Sequence, residues 1–225
     1  MPSPVWEMPD ALTCQPGSHA RIPEPFAIIA AMDRLTRQVA FLTGIDRLKN
    51  VIRRTSLCDD SRLENSAEHS WHLGVMAMVL AEYAEPGVDV TRVVPMVLVH
   101  DLVEIHAGDT FAYDVAGNGD REAREQAAAD LLFAQLPDDQ GRALRALWEE
   151  FEAGETPDAR YAVALDRLQP ILANDRSGGG SWRTHEVTRE QVMTRMRPVE
   201  RALPVLWPTV REIVDRHCAA GMLRS

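Results

Sequence analysis

The residues Val97-Leu98-Val99-His100-Asp101-Leu102-Val103 constrain this chain more than any other segment. Apart from His100 and Asp101 the run is aliphatic, so the helix that carries it should be buried. An imidazole beside a carboxylate is costly in such a place unless something satisfies both. A divalent metal ion would do so. The pair also belongs to an ordered series along the chain: His69, then His100-Asp101, then Asp166.

A chain of 225 residues is most simply one domain, large enough for a full hydrophobic core without disulfide staples. Its 45% hydrophobic and 26% charged content is that of an ordinary soluble globular protein. Cys14, Cys58 and Cys218 are odd in number and lack Cys-x-x-Cys spacing, which points to a reducing cytosol rather than a disulfide framework or a structural zinc site. The N-terminus carries Pro2, Pro4, Glu7, Pro9 and Asp10 where a signal peptide would need basic and then apolar residues, and no run reaches transmembrane length. A formal net charge of −10 argues against a nucleic-acid polymer as partner, because that needs an extended cationic surface. A small anionic substrate stays compatible if a metal ion and a few arginines reverse the field locally.

Residues 1–25 are proline-rich and without a period, and predict an irregular arm ahead of a helical domain over 26–225. Ile28, Met32, Leu35, Val39 and Leu42 recur at the spacing of an amphipathic helix, as do Leu73, Met76, Leu80 and Tyr83. Asp89 is a plausible N-cap for the helix leading to His100 and Asp101. Further helices are marked by Ala127, Leu131, Leu132 and Leu136, by Leu144, Leu147, Trp148 and Phe151, and by Tyr161, Leu165, Leu168 and Leu172. Thr188 and Gln191 form a capping-box pattern, and Pro198, Pro204 and Pro208 break or kink the helical stretch beyond it. No segment sustains a two-residue alternation, so the expected fold is an all-α helical bundle. Residues 175–181, with Gly178-Gly179-Gly180, read as a flexible loop after the helix bearing Asp166.

Imidazole and carboxylate together make a mixed nitrogen and oxygen ligand set, suited to Mn, Co, Fe, Ni or Zn more than to calcium. Glu104 follows His100 by four residues and Asp101 by three, on the same side of a helix, and Asp109 follows where that helix should end. Either carboxylate could position or deprotonate a water. Taken singly, each residue has an ordinary explanation: His69 as a surface or capping residue, Asp166 as the partner of Arg167, His100-Asp101 as a common dipeptide. Their joint order, with one pair in an apolar run, favours a site. His72 gives an alternative His-x-x-His pair with weaker support.

With these residues the chain resembles the HD-domain metal-dependent phosphohydrolase superfamily, and within it the branch of 5′-deoxynucleotidases. The matching stretches are Glu64-Asn65-Ser66-Ala67-Glu68-His69-Ser70, the run from His100 to Asp109, and Leu165-Asp166-Arg167. The resemblance implies a single-domain helical bundle in which His69, His100, Asp101 and Asp166 bind one divalent cation (Mn, Co, Mg, Fe, Ni or Zn). It implies that Glu104 orients or activates the attacking water and that Asp109 contacts the substrate sugar or the same water. It assigns the phosphate to Arg54, with Arg53 as substitute; arginine's planar fork suits two phosphate oxygens. A small nucleotide substrate, a cytoplasmic location and a homodimer follow from the same resemblance. Thr55 stands where the bacterial deoxynucleotidase has tryptophan, and the loop through Gly178-Gly179-Gly180-Ser181-Trp182 also differs from it. The alternatives are hydrolysis of another small phosphate ester or nucleotide, or a non-catalytic metal-stabilised module that binds a nucleotide or a protein.

Overall fold

Each early element begins where the sequence supplies a cap. A computed structural model describes residues 33–114, 117 and 119–224, so the arm expected over 1–25, together with Ile28 and Met32, lies outside the described residues. Asp33 caps α1 (Arg34–Gly44) by accepting the Thr36 N–H. Leu35, Val39 and Leu42, the inward stripe expected of this helix, are instead exposed, and Phe41 is the residue that α1 buries. Polar contacts hold the helix: Arg37 donates to the carbonyls of Ala134, Gln135 and Leu136.

After a 3-10 turn (Ile45–Asn50), β1 (Ile52–Ser56) and β2 (Leu63–Asn65) form an antiparallel hairpin. The sequence reading expected no strand. At five and three residues, these are too short to show an alternation. The hairpin delivers Asn65 as the N-cap of α2 (Ser66–Val79), where Asn65 and Glu68 form a reciprocal capping box. Asp89 caps α3 (Val90–Val99), as its position predicts. Then come the short α4 (Glu104–Ala107), α5 (Arg121–Phe133) and α6 (Asp138–Ala153). The long α7 (Pro157–Arg176) starts with Thr156 as cap and proline at its first position. α8 (Gly180–Thr184) follows, then α9 (Arg189–Arg195), which opens on the Thr188–Gln191 capping box. α10 (Arg197–Ala202) and α11 (Trp207–Ala219) are separated by a 3-10 turn that begins at Pro204.

The architecture is all-α apart from the hairpin. Helices α2, α3 and α7 pack on one another, α3 also meets α6, and β1 lies against α7 and α8. Two apolar clusters fill the interior. One gathers Leu73, Met96, Val97, Phe151, Tyr161, Leu165 and Trp182. The other gathers Phe41, Val99, Leu102, Val103, Leu132 and Trp148. Val97 belongs to the first and Val99, Leu102 and Val103 to the second, so the run is the seam between them, while Leu98 faces outward. Each buried aliphatic side chain there contributes roughly 1.5–3 kcal/mol, enough together to offset the cost of burying two polar groups, a few kcal/mol apiece.

The segment read as a flexible loop is a built turn. Gly178, Gly179 and Gly180 all have positive φ, and Ser177 and Ser181 on either side are buried. The Asn174 carboxamide oxygen accepts from Ser181 N at 2.8 Å and from Ser181 Oγ at 3.1 Å. A Cβ on Gly180 would stand 2.5 Å from that oxygen, so only glycine fits.

Candidate active site

His100 and Asp101 were expected inside a helix, but α3 ends at Val99 and the pair occupies the turn leading into α4. There the Leu102 N–H donates to the Val99 carbonyl and the Glu104 N–H to that of Asp101, both at 3.0 Å. This tighter winding places His100, Asp101 and Glu104 at one end of the cavity they line. Gly108, at φ 76°, ends α4 and turns the chain so that Asp109 joins the same lining. Asp166 arrives on α7. Pro170 has no N–H for the Asp166 carbonyl four residues earlier, which loosens the helical turn that carries the aspartate.

The four residues meet in space. His69, His100 and Asp101 are buried, each with a ligand atom within 4.8 Å of the others. Asp166 Oδ1 lies 2.9 Å from His69 Nε2 and 3.9 Å from His100 Nε2. The rings are held from behind. His100 Nδ1 donates to the Val97 carbonyl at 2.8 Å, and His69 Nδ1 to Gln169 Oε1 at 3.1 Å. Both imidazoles therefore present Nε2 to the same small space. His100 Nε2 has no hydrogen-bond partner: it lies 3.0 Å from Asp101 Oδ1, but the alignment is poor. A buried nitrogen lone pair without a donor, facing carboxylate oxygens, fits a divalent cation.

Charge points the same way. Burial works against charge on Asp101, but His100 and Arg53 outweigh it and hold the carboxyl below its usual range. Asp166 is likewise held well below, Arg167 and His69 overcoming its burial. His69, whose burial and the nearby Arg53 oppose protonation, is raised to about 9 by Asp166 and Glu64. In the bare cluster a proton on His69 thus occupies the place that a cation would take. Glu104 moves in the opposite direction: burial first, then the charge of Asp101, push it well above its ordinary value while Ser66 Oγ donates to its Oε2 at 2.6 Å. Asp109 is raised chiefly by burial.

The two candidate phosphate arginines stand differently. Arg53 donates to Asp101 Oδ2 at 2.8 Å and lies 3.4 Å from Glu64 Oε2, so it is occupied with the acidic cluster. Arg54 is exposed and lines the cavity, with no ion pair among the described residues. His72 lies behind the cluster, with Nδ1 3.4 Å from the Gln169 amide nitrogen.

The sequence singles out Arg167, as the partner of Asp166, but not Gln169, Arg121 or Arg195. Gln169 bridges Glu64, at 2.7 Å, to His69, and only its place three residues after Asp166 hinted at this. Arg121, Arg167 and Arg195 also line the cavity. Arg121 donates to Glu125 at 2.6 Å, and Arg167 pairs with Asp166.

Residues 45–207 match the family model described as HD domain. The 5′-deoxynucleotidase HDDC2 of Homo sapiens is 31% identical over 133 residues, 59% of this chain and 64% of that protein. The mouse (Mus musculus) protein of the same name is 29% identical over 143 residues, 64% of this chain and 68% of its own. The match thus spans just under two thirds of the human relative. Among solved structures, a predicted metal-dependent phosphohydrolase from Magnetospirillum magnetotacticum MS-1 superposes with a TM-score of 0.82 at 49% identity. That likeness covers 85% of this chain and 96% of the other.

Proposed function

Since the chain belongs to the HD-domain family, we propose that it is a metal-dependent phosphomonoesterase acting on deoxynucleoside 5′-monophosphates. The family and the structural neighbour imply a divalent metal ion. The observation that carries the reading is the convergence of two locked imidazole Nε2 atoms, one without any partner, on the carboxylates of Asp101 and Asp166. His69, His100, Asp101 and Asp166 would hold the ion, with Mn, Co, Mg, Fe, Ni and Zn as the candidates. When bound, such an ion supplies positive charge to the phosphoryl oxygens and acidifies water.

The remaining chemistry belongs to the side chains around it. Glu104 accepts the proton of the attacking water, a task suited to a carboxylate that lines the cavity and is oriented by the Ser66 hydroxyl. Water adds to phosphorus as the bond to the ester oxygen breaks, and that oxygen takes up a proton from solvent in balance with the one released to Glu104, so the nucleoside leaves as an alcohol. Arg54 holds phosphate oxygens through its planar fork. Asp109, on the same lining, contacts the sugar or the attacking water. Deoxy preference follows if the closed pocket leaves a 2′-hydroxyl unpaired. The names of the curated relatives support this substrate class.

Phosphate release by metal-stripped protein, with Mn, Co, Mg or Zn restored, across deoxy- and ribonucleoside 5′-monophosphates, tests the reading. Metal-dependent turnover favouring the deoxy series is expected, with a loss of roughly a hundredfold or more in Glu104→Gln while metal binding persists. Tight metal binding without phosphate release from any substrate would sink it.

We also propose a cytoplasmic homodimer. Free Cys58 and Cys218 support a reducing compartment. The dimer is supported by the exposed Trp71, Met78 and Leu98, since Leu98 approaches Gly74 and Trp71 and Met78 lie three and four residues from it on the same face of α2. Sedimentation at micromolar concentration checks the dimer, and a monomer there would refute it. Among the described residues no helix is long and apolar enough to cross a membrane.

A further inference from the structure

We infer that Arg195 is a second phosphate-binding residue, forming with Arg54 a two-armed clamp that selects a dianionic phosphate monoester over a monoanionic diester. The inference rests on the phosphohydrolase reading above.

Arg195 closes α9 and borders two spaces at once. One is the cavity that contains His100, Asp101, Glu104 and Asp166. The other is a more open groove that also reaches Glu190 and Gln191. The two share Ala112, Tyr113, Arg167 and Arg195, so Arg195 stands at the passage between the acidic cluster and the outside. It comes from a different element than Arg54, which sits on β1.

The lining arginines differ in their partners. Arg121 has Glu125 and Arg167 has Asp166. Neither Arg54 nor Arg195 has an acidic partner within ion-pair distance among the described residues, although Asp166 is near enough for Arg195 to feel its charge. Burial, and then the neighbouring Arg167 and Arg121, push Arg195 down to about 10, so it stays cationic at neutral pH. A half-buried cation without a counter-charge costs stability, and such groups concentrate where a ligand supplies the missing charge.

The count of free charges defines the ligand. A phosphate monoester is a dianion above its second pKa, about 6. With the charge of the proposed cation offset by Asp101 and Asp166, two unneutralised guanidinium groups match two charges, and their forks match its terminal oxygens. A diester has one charge and one fewer terminal oxygen, and would leave one guanidinium unpaired. The outer groove past Arg195 then receives the alcohol portion of the ester.

The test uses the full-length protein loaded with Mn(II), at pH 8, titrated calorimetrically with inorganic phosphate and with dimethyl phosphate. The parent should bind inorganic phosphate about tenfold more tightly or better than dimethyl phosphate, the scale of a charge-assisted contact. Arg195→Met should erase most of that difference, Arg195→Lys should restore part of it, and the thermal midpoint of Arg195→Met without phosphate should be equal to or above the parent's. A structural role predicts the reverse pattern: a lowered midpoint with phosphate affinity unchanged. That result overturns the clamp, as does a parent that fails to discriminate the two anions or binds neither. Because the titration needs no turnover, failure of the hydrolase reading shows separately, as absence of phosphate release by the parent from every ester.

Discussion

The cavity is lined by an ion-paired acidic cluster and by two arginines, Arg54 and Arg195, without an ion pair among the described residues, and the two sets are built in opposite ways. On the acidic side each proposed metal-binding side chain is held from behind: His100 by the Val97 carbonyl, His69 by Gln169 and through it Glu64, Asp101 by Arg53, Asp166 by Arg167. On the basic side Arg54 and Arg195 have no such restraint among the described residues. The contrast is the one expected if the proposed cation is resident and the proposed phosphate visits. A cation that stays can be enclosed by side chains locked in place, since the fold then orders them once, during folding. A phosphate that arrives and leaves in each cycle needs donors that are free before it comes, and the protein carries their unpaired charge in the meantime.

The most direct way to break the comparison is to remove one resident ligand without changing its shape. Asp101→Asn keeps the volume and an acceptor for Arg53 but loses a charge next to both imidazoles. Loss of the cation should cost several kcal/mol of transition-state stabilisation, or roughly a thousandfold in kcat/KM. Metal content per chain, measured on the purified variant, should fall in parallel. A variant that keeps full metal content and activity would show that Asp101 is not a ligand.

A smaller effect is expected one layer out. Gln169→Leu fills similar space but leaves His69 Nδ1 and Glu64 Oε1 without their partner. Metal affinity should weaken about tenfold to a hundredfold while phosphate affinity of the metal-loaded protein stays unchanged. Equal weakening of both would mean that the two sets are mechanically coupled and the distinction between them is false.

These two positions also show how far the sequence could be read. Asp101 stood out because a carboxylate in an aliphatic run demands an explanation, and the His, His-Asp, Asp order supplied one. Glu104 followed from its three- and four-residue offsets. Gln169 was invisible, because an amide on a buried helix face has no periodic or charge signature. Arg195 was hidden by composition: Lys49 is the sole lysine, so nearly every basic position is an arginine and no single one draws notice. Helix caps at Asp89 and Thr188 were legible because they act within three residues. The hairpin carrying Arg53 and Arg54 was too short to register, and α1 was misjudged because its apolar stripe is not what holds it.

The triple glycine offers the mildest test. Read as composition, Gly178-Gly179-Gly180 resembles a flexible linker, yet the turn sets Ser181 and Trp182 into the lining of the cavity. Gly180→Ala would force a Cβ to within 2.6 Å of Ser177 Oγ and closer still to the Asn174 oxygen, which its bonds to Ser181 prevent from moving aside. Strain of this kind costs about 1–3 kcal/mol, read as a lowered thermal midpoint. If the turn serves only the substrate side, KM for the monophosphate should rise a few-fold, with metal affinity and kcat near those of the parent. A flexible linker would tolerate the alanine with no change in midpoint. A loss of metal affinity would instead extend the turn's influence to α7 and Asp166, and the resident ligands would then depend on the same glycine as the visiting one.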